Sequence, residues 1–163
     1  MHTHSRFQTQ VVRLAQCLQS KNLRVATAES CTGGGVASAM TDLAGSSAWF
    51  ECGFVTYSNE AKMQHLDVSA EILTTYGAVS EATVIAMVKG AVANSRADVA
   101  VAVSGIAGPG GGTADKPVGT VWFAWGSATE QQASCMHFAG DRASVREQSV
   151  LVTISNLNSW LDK

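Results

Sequence analysis

Charge is scarce in this 163-residue chain: 15% of its residues are Asp, Glu, Lys or Arg, against 46% hydrophobic, and the formal net charge is −2. No stretch gathers lysines and arginines, which excludes the basic patch that a nucleic acid needs to neutralise several phosphates together. No uninterrupted apolar run approaches the length of a membrane span. The polar start MHTHSRFQTQVVRLAQ also lacks the apolar segment of a secretory signal. The expectation is a cytoplasmic protein whose partners are small molecules or protein, not nucleic acid and not membrane. Paired cysteines are missing as well. Cys17, Cys31, Cys52 and Cys135 are scattered without a Cys-x-x-Cys, so neither a disulfide framework nor a zinc site is indicated. Histidine is sparse: His2 and His4 sit at the terminus and would make a poor metal site alone, leaving only His65 and His137 in the body of the chain.

What is present suffices for one sizeable core, and residues 1–163 read as a single domain with no internal repeat or linker. Phe7, Val11, Leu14, Ala15 and Leu18 recur at three- and four-residue intervals and predict a helix over residues 5–19. Residues 23–28 predict a buried strand, 31–40 a helix despite its glycines, and 49–57 (WFECGFVTY) a second strand. SNEAKMQHL opens a helix capped by Ser58 or Asn59, and Ser80 caps another. DVAVAVS, residues 98–104, is the continuous apolar run of a strand buried on both faces. Two further strands, 118–125 and 134–138, are joined by so short a link that they should pair antiparallel. A final amphipathic helix carries Val150, Ile154, Leu157 and Leu161. Trp49, Phe50, Trp122 and Trp125 are expected mostly in the core. The sum is an α/β protein, a three-layer α/β/α sandwich on a mixed sheet of about five strands.

Candidate chemistry begins with AESCTGGG, residues 28–35. Ser30 falls where a strand gives way to a helix, at the carboxyl edge where open α/β sheets bind ligands. It has two readings, a helix cap or a nucleophile. Glycine in a helix interior costs about 0.8–1 kcal/mol relative to alanine, so Gly33, Gly34 and Gly35 favour close approach of a ligand over stability alone. The N–H groups of Cys31, Thr32 and Gly33 would then be placed to form an oxyanion hole. A serine needs a base, and neither histidine falls at a convincing position. Lys62, early in its helix, faces the positive end of the helix dipole, so its pKa should fall, with burial supplying most of the shift. Tyr57 could relay a proton between Lys62 and Ser30. The bland alternative is a surface lysine and a strand-end tyrosine. The loop GIAGPGGGTADKPVG lacks the Gly-Lys-Ser/Thr ending of a Walker A motif, so it reads either as a surface turn or as a backbone cradle for one phosphate. Arg142 or Arg146 could complete such a cradle.

Taken together, AESCTGGG, TYSNEAK, VSGIAGPGGGTADKPVGTVW and FAGDRASVR resemble the CinA C-terminal domain family, the nicotinamide-nucleotide amidases, over nearly the whole chain. The resemblance implies an α/β/α sandwich that forms a homodimer. It also implies hydrolysis of the carboxamide of nicotinamide mononucleotide to nicotinate mononucleotide and ammonia, without metal or cofactor. By motif, it makes Ser30 the nucleophile, Lys62 the general base and Tyr57 their partner. Cys31, Thr32, Gly33, Ser104, Gly105, Gly108, Pro109 and Gly110 would face the nucleotide, with Arg142 ranked ahead of Arg146 for its phosphate. Longer members carry an additional domain associated with pyrophosphatase chemistry, an activity not expected here. The competing expectation from another class is a non-catalytic nucleotide-binding regulatory module.

Overall fold

The structure is a computed structural model that describes residues 2–163, with side chains from residue 6 onward. The side chains of His2 and His4 therefore lie outside the described residues. Helix α1 (His2–Ser20) leads into strand β1 (Val25–Glu29), helix α2 (Gly35–Thr41) and, after a 3₁₀ turn at Ser46–Ala48, strand β2 (Phe50–Val55). Helices α3 (Asn59–Leu66), α4 (Ala70–Tyr76) and α5 (Glu81–Ala93) follow, then strands β3 (Val99–Gly105), β4 (Thr120–Ser127) and β5 (Gln131–His137), and helix α6 (Arg142–Leu161) closes the chain.

The sheet order is β2-β1-β3-β4-β5. Strand β1 pairs in parallel with β2 and β3, whereas β3–β4 and β4–β5 are antiparallel, which makes the sheet mixed as expected. The run DVAVAVS does sit between two cores. Successive side chains of a strand face opposite sides, so Val99, Val101 and Val103 enter a core built with α1, α2 and α6. Ala100 and Ala102 enter a second core with α3, α4 and α5. Three layers result. Trp49 and Trp125 are buried, while Phe50 and Trp122 are half-buried against the two cores.

Two local differences from expectation have physical causes. The helix after β1 begins at Gly35 rather than residue 31, because Gly33 (φ 59°) and Gly34 (φ 102°) take left-handed backbone that cannot continue a right-handed helix. Helix α4 is additional; Ser69 caps it by accepting from the Ile72 N–H, and Leu73 anchors it in the second core. Ser58 and Ser80 cap α3 and α5, and Asp141 caps α6.

Helix α5 crosses α3 without room for a side chain at Gly90, where a Cβ would lie 1.8 Å from the Leu66 carbonyl oxygen. Alanine there gains about 1 kcal/mol of helix propensity, but the clash is with backbone, so the helices must separate. Gly90→Ala should destabilise the protein by about 2 kcal/mol or more, read as a lower urea midpoint. An unchanged or higher midpoint would show that the crossing is loose.

Candidate active site

Strands β1, β2 and β3 run parallel, and β5, two antiparallel pairings beyond β3, runs the same way. Their carboxyl ends therefore lie along one edge of the sheet. The four motifs follow these four ends: AESCTGGG after β1, TYSNEAK after β2, the glycine-rich loop after β3 and GDRASVR after β5. Topology, not sequence proximity, gathers them, at the edge where open α/β sheets bind ligands.

At this edge the Lys62 Nζ lies 2.9 Å from the Ser30 Oγ. Both residues are buried, Lys62 at 1% exposure and Ser30 at 8%. Alternation along β1 explains the direction of the serine: Ala26 and Ala28 face the α3–α5 layer, and Ser30, the next residue in that phase, meets the lysine of α3. Nζ also donates to the carbonyls of Thr56, at 2.7 Å, and Tyr57, at 3.4 Å. Burial lowers the Lys62 pKa from 10.5 to about 8, against a weaker opposing influence from Cys31. The Cys31 thiol, by contrast, is pushed up to about 11, first by burial. Hydrogen bonding from backbone at Cys31 and Gly105 opposes that rise, as does the Lys62 charge, and the Glu29 charge adds to it. The hydroxyl has a base beside it, and its neighbour stays a thiol.

A cavity of ≈ 270 Å³ opens on the pair, lined by Ser30, Cys31, Tyr57, Lys62, Ser104, Gly105, Gly108, Gly110 and Arg142, all anticipated from the sequence. Gly111, the last residue of the GPGG run, lines it too, and Ala78, Val79, Ile106 and Ala107 also line it without having been singled out. Arg142 donates to the Gly108 carbonyl at 2.7 Å and to the Tyr57 hydroxyl at 3.2 Å, bridging the glycine loop and the cavity rim.

Several expected site residues lie elsewhere. The Tyr57 phenol is 61% exposed and points to Arg142, so it does not stand between Lys62 and Ser30; its carbonyl, not its hydroxyl, meets the pair. Thr32 and Gly33 do not line the cavity. The Thr32 hydroxyl donates to Glu29 at 2.6 Å, and the Gly33 N–H is taken by the Ser30 carbonyl at 3.1 Å, which removes it from any oxyanion hole. Pro109 is exposed and off the lining. Arg146 donates to the Cys31 and Thr32 carbonyls at 3.1 and 3.2 Å. It lines a separate cavity of ≈ 490 Å³ between α1, α2 and α6 that contains neither Ser30 nor Lys62. His65 and His137 are exposed. Among the described residues no group of three or more His, Cys, Asp or Glu side chains is placed to hold a metal ion, and no helix is long and apolar enough to cross a membrane.

Sequence reasoning missed Glu29. Its side chain is 1% exposed and accepts from the Thr32 hydroxyl, the Val36 N–H at 2.8 Å and the Ala37 N–H at 3.1 Å. A glutamate closing a fully buried strand was the available signal.

A buried serine–lysine pair at the ligand edge of a mixed α/β/α sandwich thus defines the class of protein. The sequence profile of the CinA C-terminal domain matches residues 8–161, and the chain belongs to that family. The nicotinamide-nucleotide amidohydrolase PncC of Escherichia coli K12 is 53% identical over 148 residues, covering 89% of this chain and 88% of that protein. The Pseudomonas putida protein of the same name is 52% identical over 149 residues, covering 91% and 93%. Among solved structures, the competence/damage inducible protein CihA from Agrobacterium tumefaciens superposes with a TM-score of 0.92 at 42% identity, covering 97% of this chain and 96% of that one.

Proposed function

We infer that this chain is a nicotinamide-nucleotide amidase that hydrolyses the carboxamide of nicotinamide mononucleotide to nicotinate mononucleotide and ammonia. The observation that carries the reading is the 2.9 Å contact between Lys62 Nζ and Ser30 Oγ inside the glycine-walled cavity. The names and high identity of the curated relatives support the substrate.

Hydrogen bonding orients the base. A neutral amine has two N–H groups and one lone pair. The carbonyls of Thr56 and Tyr57 accept the two N–H groups, which leaves the lone pair directed at the serine hydroxyl. Lys62 takes the Ser30 proton as Oγ attacks the carboxamide carbon, and the C=O electrons move onto oxygen. At the turn the N–H groups of both Cys31 and Thr32 lack a backbone carbonyl partner, and Cys31, which lines the cavity, offers the amide to stabilise that oxyanion. When the tetrahedral intermediate collapses, the C–N bond breaks and the Lys62 ammonium returns its proton to the departing nitrogen, which leaves as ammonia. Neutral Lys62 then takes a proton from water as the hydroxide attacks the ester. The ester C–O bond breaks, Ser30 Oγ recovers the proton, and the nicotinate product departs.

Arg142 and the backbone of Gly108, Gly110 and Gly111 form the wall suited to the nucleotide phosphate. Being remote from the reacting bond, the phosphate lends binding energy to orientation of the ring. The test is incubation with nicotinamide mononucleotide and measurement of ammonia. Stoichiometric ammonia and nicotinate mononucleotide are expected, and nucleotide binding without ammonia release would favour the silent regulatory module instead.

A further inference from the structure

Besides Lys62, Glu29 is the only charged side chain among the described residues that is fully buried, and the reaction above gives it no part. It forms no salt bridge among the described residues. Its oxygens instead accept from three neutral donors of the segment that follows Ser30: the Thr32 hydroxyl, Val36 N–H and Ala37 N–H. A buried charge without a cation is retained at a cost that such hydrogen bonds offset. The result is a closed loop from residue 29 to residue 37, with the end of β1 tied to the start of α2.

Ser30 lies inside that loop. Its N–H is held by the Val103 carbonyl at 3.0 Å and its carbonyl by the Gly33 N–H at 3.1 Å. The chain then passes through Gly33 and Gly34, both left-handed and without side chains to pack. Flexible residues of this kind cannot fix the turn by themselves, so an external tie must set how α2 sits against β1. Alternation places that tie correctly: Val25 faces the core shared with α2 and α6, and Glu29, in the same phase, points toward α2 while Ser30 points toward Lys62.

We propose that Glu29 is a positioning residue for Ser30: its carboxylate ties the amino end of α2 to the last residue of β1 and thereby keeps the serine hydroxyl within proton-transfer reach of Lys62. The inference rests on the reading of Ser30 as the nucleophile. A displacement of about 1 Å at a reacting group lowers rate by about 10²-fold, which sets the effect to look for.

The test is Glu29→Gln. The amide keeps the size and can still accept from Thr32 and Val36, but its NH₂ faces the Ala37 N–H, donor against donor. Three readouts are needed: kcat and KM on nicotinamide mononucleotide, the rate at which a sulfonyl fluoride labels Ser30, and the melting transition. In a folded variant, kcat and the labelling rate should both fall about 30- to 100-fold, with KM within about threefold of wild type. Labelling and kcat within about threefold of wild type, or a loss confined to KM, would overturn the proposal. Should Glu29→Gln fail to fold, Thr32→Val decides: it removes the 2.6 Å contact while keeping shape. It should slow both rates about tenfold, and unchanged rates would again overturn it. Labelling does not depend on the substrate. A wild-type protein that labels at Ser30 yet releases no ammonia removes the substrate assignment and leaves the Glu29 comparison standing; one that never labels at Ser30 removes both.

Discussion

Replacing Ser30 by alanine should lower turnover of nicotinamide mononucleotide by at least about 10³-fold while leaving the nucleotide's dissociation constant within about threefold of wild type. The split follows from where the hydroxyl sits. Ser30 is one small wall of a cavity that Arg142, Ser104, Tyr57, Lys62 and the glycine loop also line, so removing one oxygen leaves most binding contacts in place and removes the proposed attacking atom. Cys31, one residue along, is the obvious rival nucleophile, and a thiolate would be the stronger one. Burial keeps it protonated, with a pKa of about 11, so it offers almost no thiolate at neutral pH. A Ser30→Ala enzyme with near-normal kcat, paired with full loss in Cys31→Ala, would transfer the attack to sulfur.

The second large effect is expected at Lys62. Lys62→Met removes the base but keeps the length and apolar stem of a side chain that is 1% exposed, and kcat should fall by about 10³-fold. The pH dependence gives an independent sign. In the proposed reaction Lys62 works as the neutral amine, and burial disfavours the ammonium, lowering its pKa to about 8. Below that value the neutral fraction drops tenfold per pH unit, so log kcat/KM should rise with unit slope toward about pH 8 and level off above it. The profile should therefore be an alkaline-side plateau, and Lys62→Met should lose the rising limb together with the rate. A wild-type profile flat from about pH 6 to about pH 9 would show that no group with the lowered pKa controls the reaction.

The sequence paired Ser30 with Lys62, and the fold does bring their side chains to 2.9 Å. A lowered Lys62 pKa with burial supplying most of the shift was expected from the sequence and is what the fold produces, while the orienting carbonyls of Thr56 and Tyr57 were not foreseen. Tyr57 was assigned to the pair through its hydroxyl and meets it through its carbonyl. The family resemblance implied that Thr32 and Gly33 face the nucleotide, yet the turn carries them off the cavity lining, where Glu29 and Ser30 hold them. Arg142 and Arg146 illustrate the same limit. They lie one helical turn apart on α6, and one reaches the cavity while the other grips the back of the turn after Ser30.

The sequence by itself determined the elements and the layers. Period-2 and helical apolar spacing, serine caps and the doubly buried run of β3 are local or compositional properties, and burial of apolar surface enforces them wherever the chain folds. It also determined which residues could carry chemistry, since only certain side chains can attack, deprotonate or hold a phosphate. Tertiary structure alone decided which of them meet. The contact between residues 30 and 62 exists because two parallel strands end at one edge, and the lysine pKa falls because packing excludes water around it. Glu29, signalled in the sequence only as a charge at the end of a buried strand, acquires its three partners when the turn after β1 closes. Distance and desolvation are properties of the assembled fold, and no stretch of chain contains them.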